Sequence, residues 1–231
     1  SKTQYKEGHY EVPMLWKENN DPFPNNYNMA LKRFNMLKQR LRNDPDLKSK
    51  YNETMDTYIQ QGYAKKLSKE EACRTSEKTW YLPHHPVFNK NKPEKFRMVF
   101  DAAAEYNGRS LNNSLMTGPD LLNSLEGVLL RFRNEKIVFS ADIEAMYHQV
   151  TVNDSDAGSL RFLWSEDLRR CSNPGTYQMN VHIFGSKDSP CCANYAVRRT
   201  ATDNNHQFNA AIVESVMRSF YMDDLLLSEK T

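Results

Sequence analysis

Apolar positions in this chain follow two periods, and the change from one to the other divides it. Through about the first 70 residues they recur at three and four, the helical spacing. Ala30, Phe34, Leu37 and Leu41 form one stripe, preceded by the Pro- and Asn-rich loop Asn19 to Asn26. Leu47, Tyr51, Met55, Tyr58 and Ile59 form a second, closed by Gly62 in the place of a C-cap. Ser68-x-x-Glu71 resembles a capping box for a short third helix.

From Trp80 the period shortens to two. Phe96-Arg97-Met98-Val99-Phe100 alternates, and with Tyr81 to Phe88 it predicts a hairpin around the Lys/Pro/Asn-rich turn Asn89 to Lys95. Further strands are expected at His148 to Val152, Leu160 to Trp164 and Thr176 to Val181, with turns at Asp154 to Gly158 and Ser172 to Gly175. Ile137 to Ala141 is almost wholly apolar and reads as a central strand that delivers Asp142 at its C-terminal edge. Three helices are interleaved. One follows Gly118-Pro119 and packs Leu122, Leu125, Leu129 and Phe132 on the core. The next opens with Ser189 as N-cap and Pro190 as first helical residue, and the last runs from Asn209 to Met217.

The chain has 231 residues and a formal net charge of +2, too little to announce a nucleic-acid partner by itself. Basic residues nevertheless cluster twice. Lys32, Arg33, Lys38, Arg40 and Arg42 crowd the first helix, and Lys90, Lys92, Lys95 and Arg97 the hairpin tip. Apolar runs such as Leu225 to Leu227 are far too short to span a bilayer, and the N-terminus lacks a signal-peptide core, so an intracellular protein with no membrane partner is expected. Cys73, Cys171, Cys191 and Cys192 contain no Cys-x-x-Cys pair, and six scattered histidines supply no zinc spacing; reduced, structural cysteines are expected.

The sharpest local feature is Tyr221-Met222-Asp223-Asp224, set between Val216-Met217 and Leu225-Leu226-Leu227. Two adjacent carboxylates at a hairpin tip repel one another and are steadied by a cation. Taken alone, the pair reads equally well as an Asp-containing turn. Asp142 changes the balance. If its strand neighbours the hairpin, three acids converge into a cup for two divalent ions, the arrangement that in-line phosphoryl transfer needs, and Mg2+ suits such hard oxygen ligands.

These blocks, in this order, resemble the polymerase core of a reverse transcriptase. Asp142-Ile143-Glu144-Ala145-Met146-Tyr147 is similar to the family's first catalytic motif, Phe184-Gly185-Ser186-Lys187-Asp188-Ser189-Pro190 to its template and nucleotide motif, and Tyr221-Met222-Asp223-Asp224 to its second catalytic motif. Lys90, Phe96-Arg97 and Asp101 fit the preceding basic hairpin. Tyr10-Glu11-Val12-Pro13, Trp80 to His85, Ser110 to Asn113, Gly118 to Leu122 and Leu130 to Arg133 narrow the likeness to Pao/BEL-type long-terminal-repeat retrotransposons.

The resemblance implies an α+β fold with reverse-transcriptase-like fingers and palm: a helical segment at 1–75, fingers at 76–118 and 151–187, and palm at 119–150 and 188–231, an antiparallel sheet with packed helices, the thumb absent. It implies RNA-directed DNA polymerase activity, with Asp142, Asp223 and Asp224 as catalytic residues and ligands of two Mg2+ ions, Mn2+ serving in their place. Lys90, Arg97, Tyr147, Phe184 and Gly185 would meet the incoming deoxynucleoside triphosphate, Tyr147 as a steric gate against a ribose 2′-hydroxyl. Gly185, lacking a Cβ, would let backbone approach a base or sugar. Lys92, Lys95, Lys187, Ser189, Pro190, Tyr221 and Met222 would meet nucleic acid. The implied partners are an RNA or DNA template with a DNA primer and the rest of a Pol polyprotein (thumb, ribonuclease H, protease, integrase). The implied location is the cytoplasm, in virus-like particles, with a nuclear phase. A non-catalytic nucleic-acid-binding relic of such an element is the alternative. His84 and His85, neighbours on a strand and so on opposite faces, read as structural.

Overall fold

A computed structural model describes residues 3–18, 20–89, 92–166 and 173–230, without the side chains of 89 and 92–95. The chain opens with a hairpin, β1 (Gln4–Lys6) and β2 (His9–Glu11), within the segment 1–75 expected to be helical. Glu7 and Gly8 both take left-handed backbone, and that two-residue turn matches the twist of paired strands.

The two stripes then do form helices. α1 (Tyr27–Asn43) buries Ala30, Phe34, Leu37 and Leu41; α2 (Pro45–Gln60) buries Leu47, Tyr51 and Met55. The break between them is local: Asp44 is extended, its carboxylate accepts from the Leu47 N–H, and Pro45 starts the second helix. β3 (Ala64–Lys66) follows, then α3 (Lys69–Cys73), which carries the Ser68–Glu71 capping box. β4 (His84–Asn89) and β5 (Lys92–Phe100) pair as the expected hairpin, with Met98 and Phe100 buried and Arg97 exposed.

α4 (Leu111–Ser114), α5 (Leu125–Phe132) and β6 (Ile137–Asp142) lead to β7 (Val150–Thr151), α6 (Asp154–Ala157), β8 (Arg161–Trp164) and β9 (Gly175–Met179). α7 (Ser189–Asp203), α8 (Ala210–Ser219), β10 (Phe220–Tyr221) and β11 (Asp224–Glu229) complete the order. Sheets are small: β1-β2-β7, β3-β9-β8, β10-β11-β6 and the β4-β5 pair, antiparallel except between β2 and β7. The architecture is mixed α and β.

The main core lies where α1 and α2 meet these β elements and seals Tyr51, Trp80, Phe100, Phe162, Trp164 and Tyr177 from solvent. The buried His84 imidazole is satisfied. The Leu163 carbonyl can only accept, so His84 Nε2 donates to it at 3.0 Å and Nδ1 accepts from the Tyr51 hydroxyl at 2.5 Å. A smaller core joins Tyr10, Val12, Met146, Val150, Cys192 and Ala196, with Ile143 and Tyr147 against it. Among the described residues no helix is long and apolar enough to cross a membrane.

Several expectations fail for identifiable reasons. Among the described residues β6 is an edge strand paired with β11, and Ile137, Val138 and Phe139 are about half exposed; an all-apolar run does not distinguish a strand covered on both faces from one at an edge. α5 is shorter than its leucine pattern and turned so that Val128 is buried while Leu125 and Leu129 are exposed. Of the strand expected at His148 to Val152, Val150–Thr151 forms β7, while His148 and Gln149 end the 3-10 turn Met146–Gln149. Asp154 to Gly158 is not a bare turn, because the Asn153 side chain caps α6. Asp188, not Ser189, stands at the N-cap of α7.

Candidate active site

The register of one sheet assembles the acidic candidates. β11 pairs β6 so that Asp224 lies opposite Asp142, and β10 pairs β11 so that Tyr221 lies opposite Asp224. Directly opposed residues of antiparallel strands share a face, so both carboxylates and the Tyr221 ring stand on one side. Asp223 is in the turn between β10 and β11, and its carbonyl accepts from the Ile143 N–H at 3.0 Å, which ties the tip of the hairpin to the chain just past Asp142. Asp142 and Asp224 are exposed and Asp223 is half-buried. Among the described residues none of the three has an ion-pair partner. Carboxylate oxygens are hard donors of the kind that a hard divalent cation such as Mg2+ takes.

Backbone strain brackets this corner. Met222 at φ +55°, immediately before Asp223, and Ala145 at φ +50°, three residues after Asp142, are non-glycine residues held in the left-handed region. The hairpin is also held from behind. Asn123 Nδ2 donates to the Phe220 carbonyl at 2.8 Å and to the Met217 carbonyl at 3.2 Å.

Tyr147 is half-buried beside the acids. Its phenol pKa is raised, first by burial and then by the negative charge of Asp223, so the ring carries a neutral hydroxyl. Phe184 packs on Tyr147 with ring centroids 4.6 Å apart, and His148 meets Phe184 edge-on. Burial lowers the His148 pKa to about 4, leaving an uncharged aromatic support.

Gly185 has φ +110°, and a Cβ built on it would lie 2.3 Å from the Phe100 carbonyl oxygen. Its bareness therefore serves the approach of this turn to β5. Asn112 spans the same turn, its Nδ2 donating to the Gly185 carbonyl and its Oδ1 accepting from the Lys187 N–H, both at 2.9 Å. Asn112 enters the sequence reading only within the block Ser110 to Asn113 and Asn123 not at all, because an asparagine that bridges distant backbone looks like any loop asparagine.

The remaining candidates are dispersed. Arg97 is exposed on β5 opposite Val87, Lys187 is exposed, Pro190 is half-buried at the start of α7, and Met222 is exposed. Ser189 is fully buried, its hydroxyl without a hydrogen-bond partner among the described residues. Lys90 lies outside the described residues, as do the side chains of Lys92 and Lys95. On the basic helix α1, Arg33 pairs with Asp101 at 3.1 Å and Arg40 sits over the Phe88 ring, so part of that charge is engaged within the fold.

Comparison with solved structures supplies a neighbour for this arrangement. A foamy viral protease–reverse transcriptase, solved in complex with double-stranded DNA, superposes with a TM-score of 0.53 at 18% identity, over 81% of this chain and 26% of that one. The fold is reverse-transcriptase-like. The chain spans about a quarter of the length of that neighbour. No protein-family model and no curated protein matches the sequence.

Proposed function

We propose that this chain is the fingers and palm core of an RNA-directed DNA polymerase from the Pol polyprotein of a Pao/BEL-type retrotransposon. It would join deoxynucleotides to a primer 3′-hydroxyl on an RNA or DNA template. One observation carries the reading: Asp142 and Asp224 face each other in register with Asp223 between the paired strands, within a reverse-transcriptase-like fold.

The three carboxylates would hold two Mg2+ ions, which when bound supply charge neutralisation for attacking and leaving oxygens. The rest falls to the chain's own groups. The β6–β11 register holds two carboxylates on one face, and the Ile143 bond holds the third beside them. Tyr147, neutral and backed by Phe184, would act as the steric gate against a ribose 2′-hydroxyl. Arg97 on β5 offers a planar fork for phosphate oxygens. The double-stranded DNA bound by the foamy viral neighbour supports a nucleic-acid partner here too.

The test is primer extension on poly(rA)·oligo(dT) with dTTP and Mg2+ or Mn2+, for the chain alone and within its longer polyprotein, each with an Asp223→Asn counterpart. Extension that disappears in the Asp223→Asn protein supports the polymerase. A folded polyprotein that binds primer-template without extending it favours the non-catalytic relic.

A further inference from the structure

Behind the acidic corner, three side chains of different chemistry converge in the small core. His182, Asp188 and Cys192 are each no more than 1% exposed, and their nitrogen, oxygen and sulfur ligand atoms lie within 4.8 Å of one another. The grouping comes from topology. His182 arrives just beyond β9, and Asp188 and Cys192, four apart at the start of α7, share one helix face. We propose that they form a site for a borderline-soft divalent ion of the zinc type, separate from the hard-oxygen site of Asp142, Asp223 and Asp224.

Charge is the first reason. Among the described residues two carboxylates are buried almost completely, and they are treated differently. Asp156 accepts from the Met14 N–H and Trp16 Nε1, and Lys78 Nζ stands 2.7 Å from it, so its charge is offset. Asp188 accepts from the Ser186 hydroxyl at 2.6 Å and the Leu15 N–H at 3.0 Å, yet among the described residues it has no ion-pair partner. A buried anion without a cation is costly. One divalent ion bound by a carboxylate, a thiolate and a neutral imidazole leaves no net charge in the core. Its binding expels the Cys192 thiol proton to solvent.

The surrounding bonds are those a metal site uses. A ligating imidazole usually donates its other N–H to a carbonyl, and ligating carboxylates are hydrogen-bonded in turn. His182 Nε2 lies 3.0 Å from the Val12 carbonyl, which can only accept, so Nε2 donates there and Nδ1 is the ring nitrogen left to ligate. The two donors on Asp188 fix its carboxylate plane. Mixed nitrogen, sulfur and oxygen ligands select zinc over magnesium. Donors at about 2.0–2.3 Å from one tetrahedral ion sit roughly 3.3–3.8 Å apart, so small side-chain rotations close the observed spacing. The bound ion would pin the Val12–Leu15 strap to α7 through the His182 and Asp188 bonds.

The probe is Co2+, titrated into chelator-stripped protein in excess Mg2+ so that hard-oxygen sites are saturated. The expected result is one Co2+ per chain with a near-ultraviolet thiolate-to-cobalt band. Zn2+ should displace it and raise Tm, the band should vanish in Cys192→Ser, and it should persist in Cys191→Ser. Should Cys192→Ser not fold, a Cys73→Ser/Cys171→Ser/Cys191→Ser protein decides: a band there can come only from Cys192. No uptake by folded wild-type protein, a band carried by another cysteine, or a metal-free core in which His182 holds two ring protons beside Asp188 would each overturn the site.

Discussion

Replacing Gly185 by alanine separates two reasons for a glycine at this corner. The new Cβ would sit 2.3 Å from the Phe100 carbonyl oxygen, far inside the 3.0 Å that real Cβ atoms keep, on a backbone of φ +110°. A side chain in so sparsely populated a conformation costs about 1–3 kcal/mol. Displacing the turn from β5 adds about 1–3 kcal/mol of overpacking. Gly185→Ala should therefore lose about 2–6 kcal/mol in urea denaturation, and since each kcal/mol moves Tm by roughly 2–4 °C at this size, melt about 4–24 °C lower. The companion Asn112→Ala removes the two bonds across the turn without a clash and should lose about 1–2 kcal/mol. Were the glycine there only to admit a nucleotide, Gly185→Ala would melt with the parent and show a raised KM for dTTP in primer extension. A Gly185→Ala protein within about 0.5 kcal/mol of wild type would refute the contact with Phe100, because surface substitutions without a structural role fall in that range.

Stability should also depend on acid. Burial depresses the pKa of His84 and His148 from 6.5 to about 4, so between those values the unfolded chain binds the more protons and stability falls as pH falls. From pH 7 to pH 5 urea denaturation should show a loss of about 2 kcal/mol per histidine, and no change over that range would contradict the buried neutral rings. Asp156→Ala should cost about 2–4 kcal/mol, since it leaves the Met14 N–H and Trp16 Nε1–H unpaired and Lys78 without its carboxylate; a melting curve like that of wild type would show the strap is held otherwise. Tyr147→Ala should erase the preference for deoxynucleotides over ribonucleotides in primer extension, with unchanged selectivity removing Tyr147 from the gate.

What the sequence by itself determined is local. The stripes on α1 and α2, the Ser68–Glu71 capping box and the β4–β5 hairpin follow from periodicity and capping chemistry, which act within a few residues and are written where they act. Adjacency of Asp223 and Asp224 likewise needed no fold. Only tertiary structure decided that Asp142 stands opposite Asp224, because strand register depends on pairing between segments far apart in the chain. It also decided that β6 lies at an edge, that Gly185 faces the Phe100 carbonyl, and that Asn112 and Asn123 bridge distant backbone. None of these contacts leaves a periodic signature. His182, Asp188 and Cys192 show the same limit: their spacing fits no zinc motif, yet the approach of the chain after β9 to the start of α7 brings three ligand types together, an outcome of packing rather than of pattern.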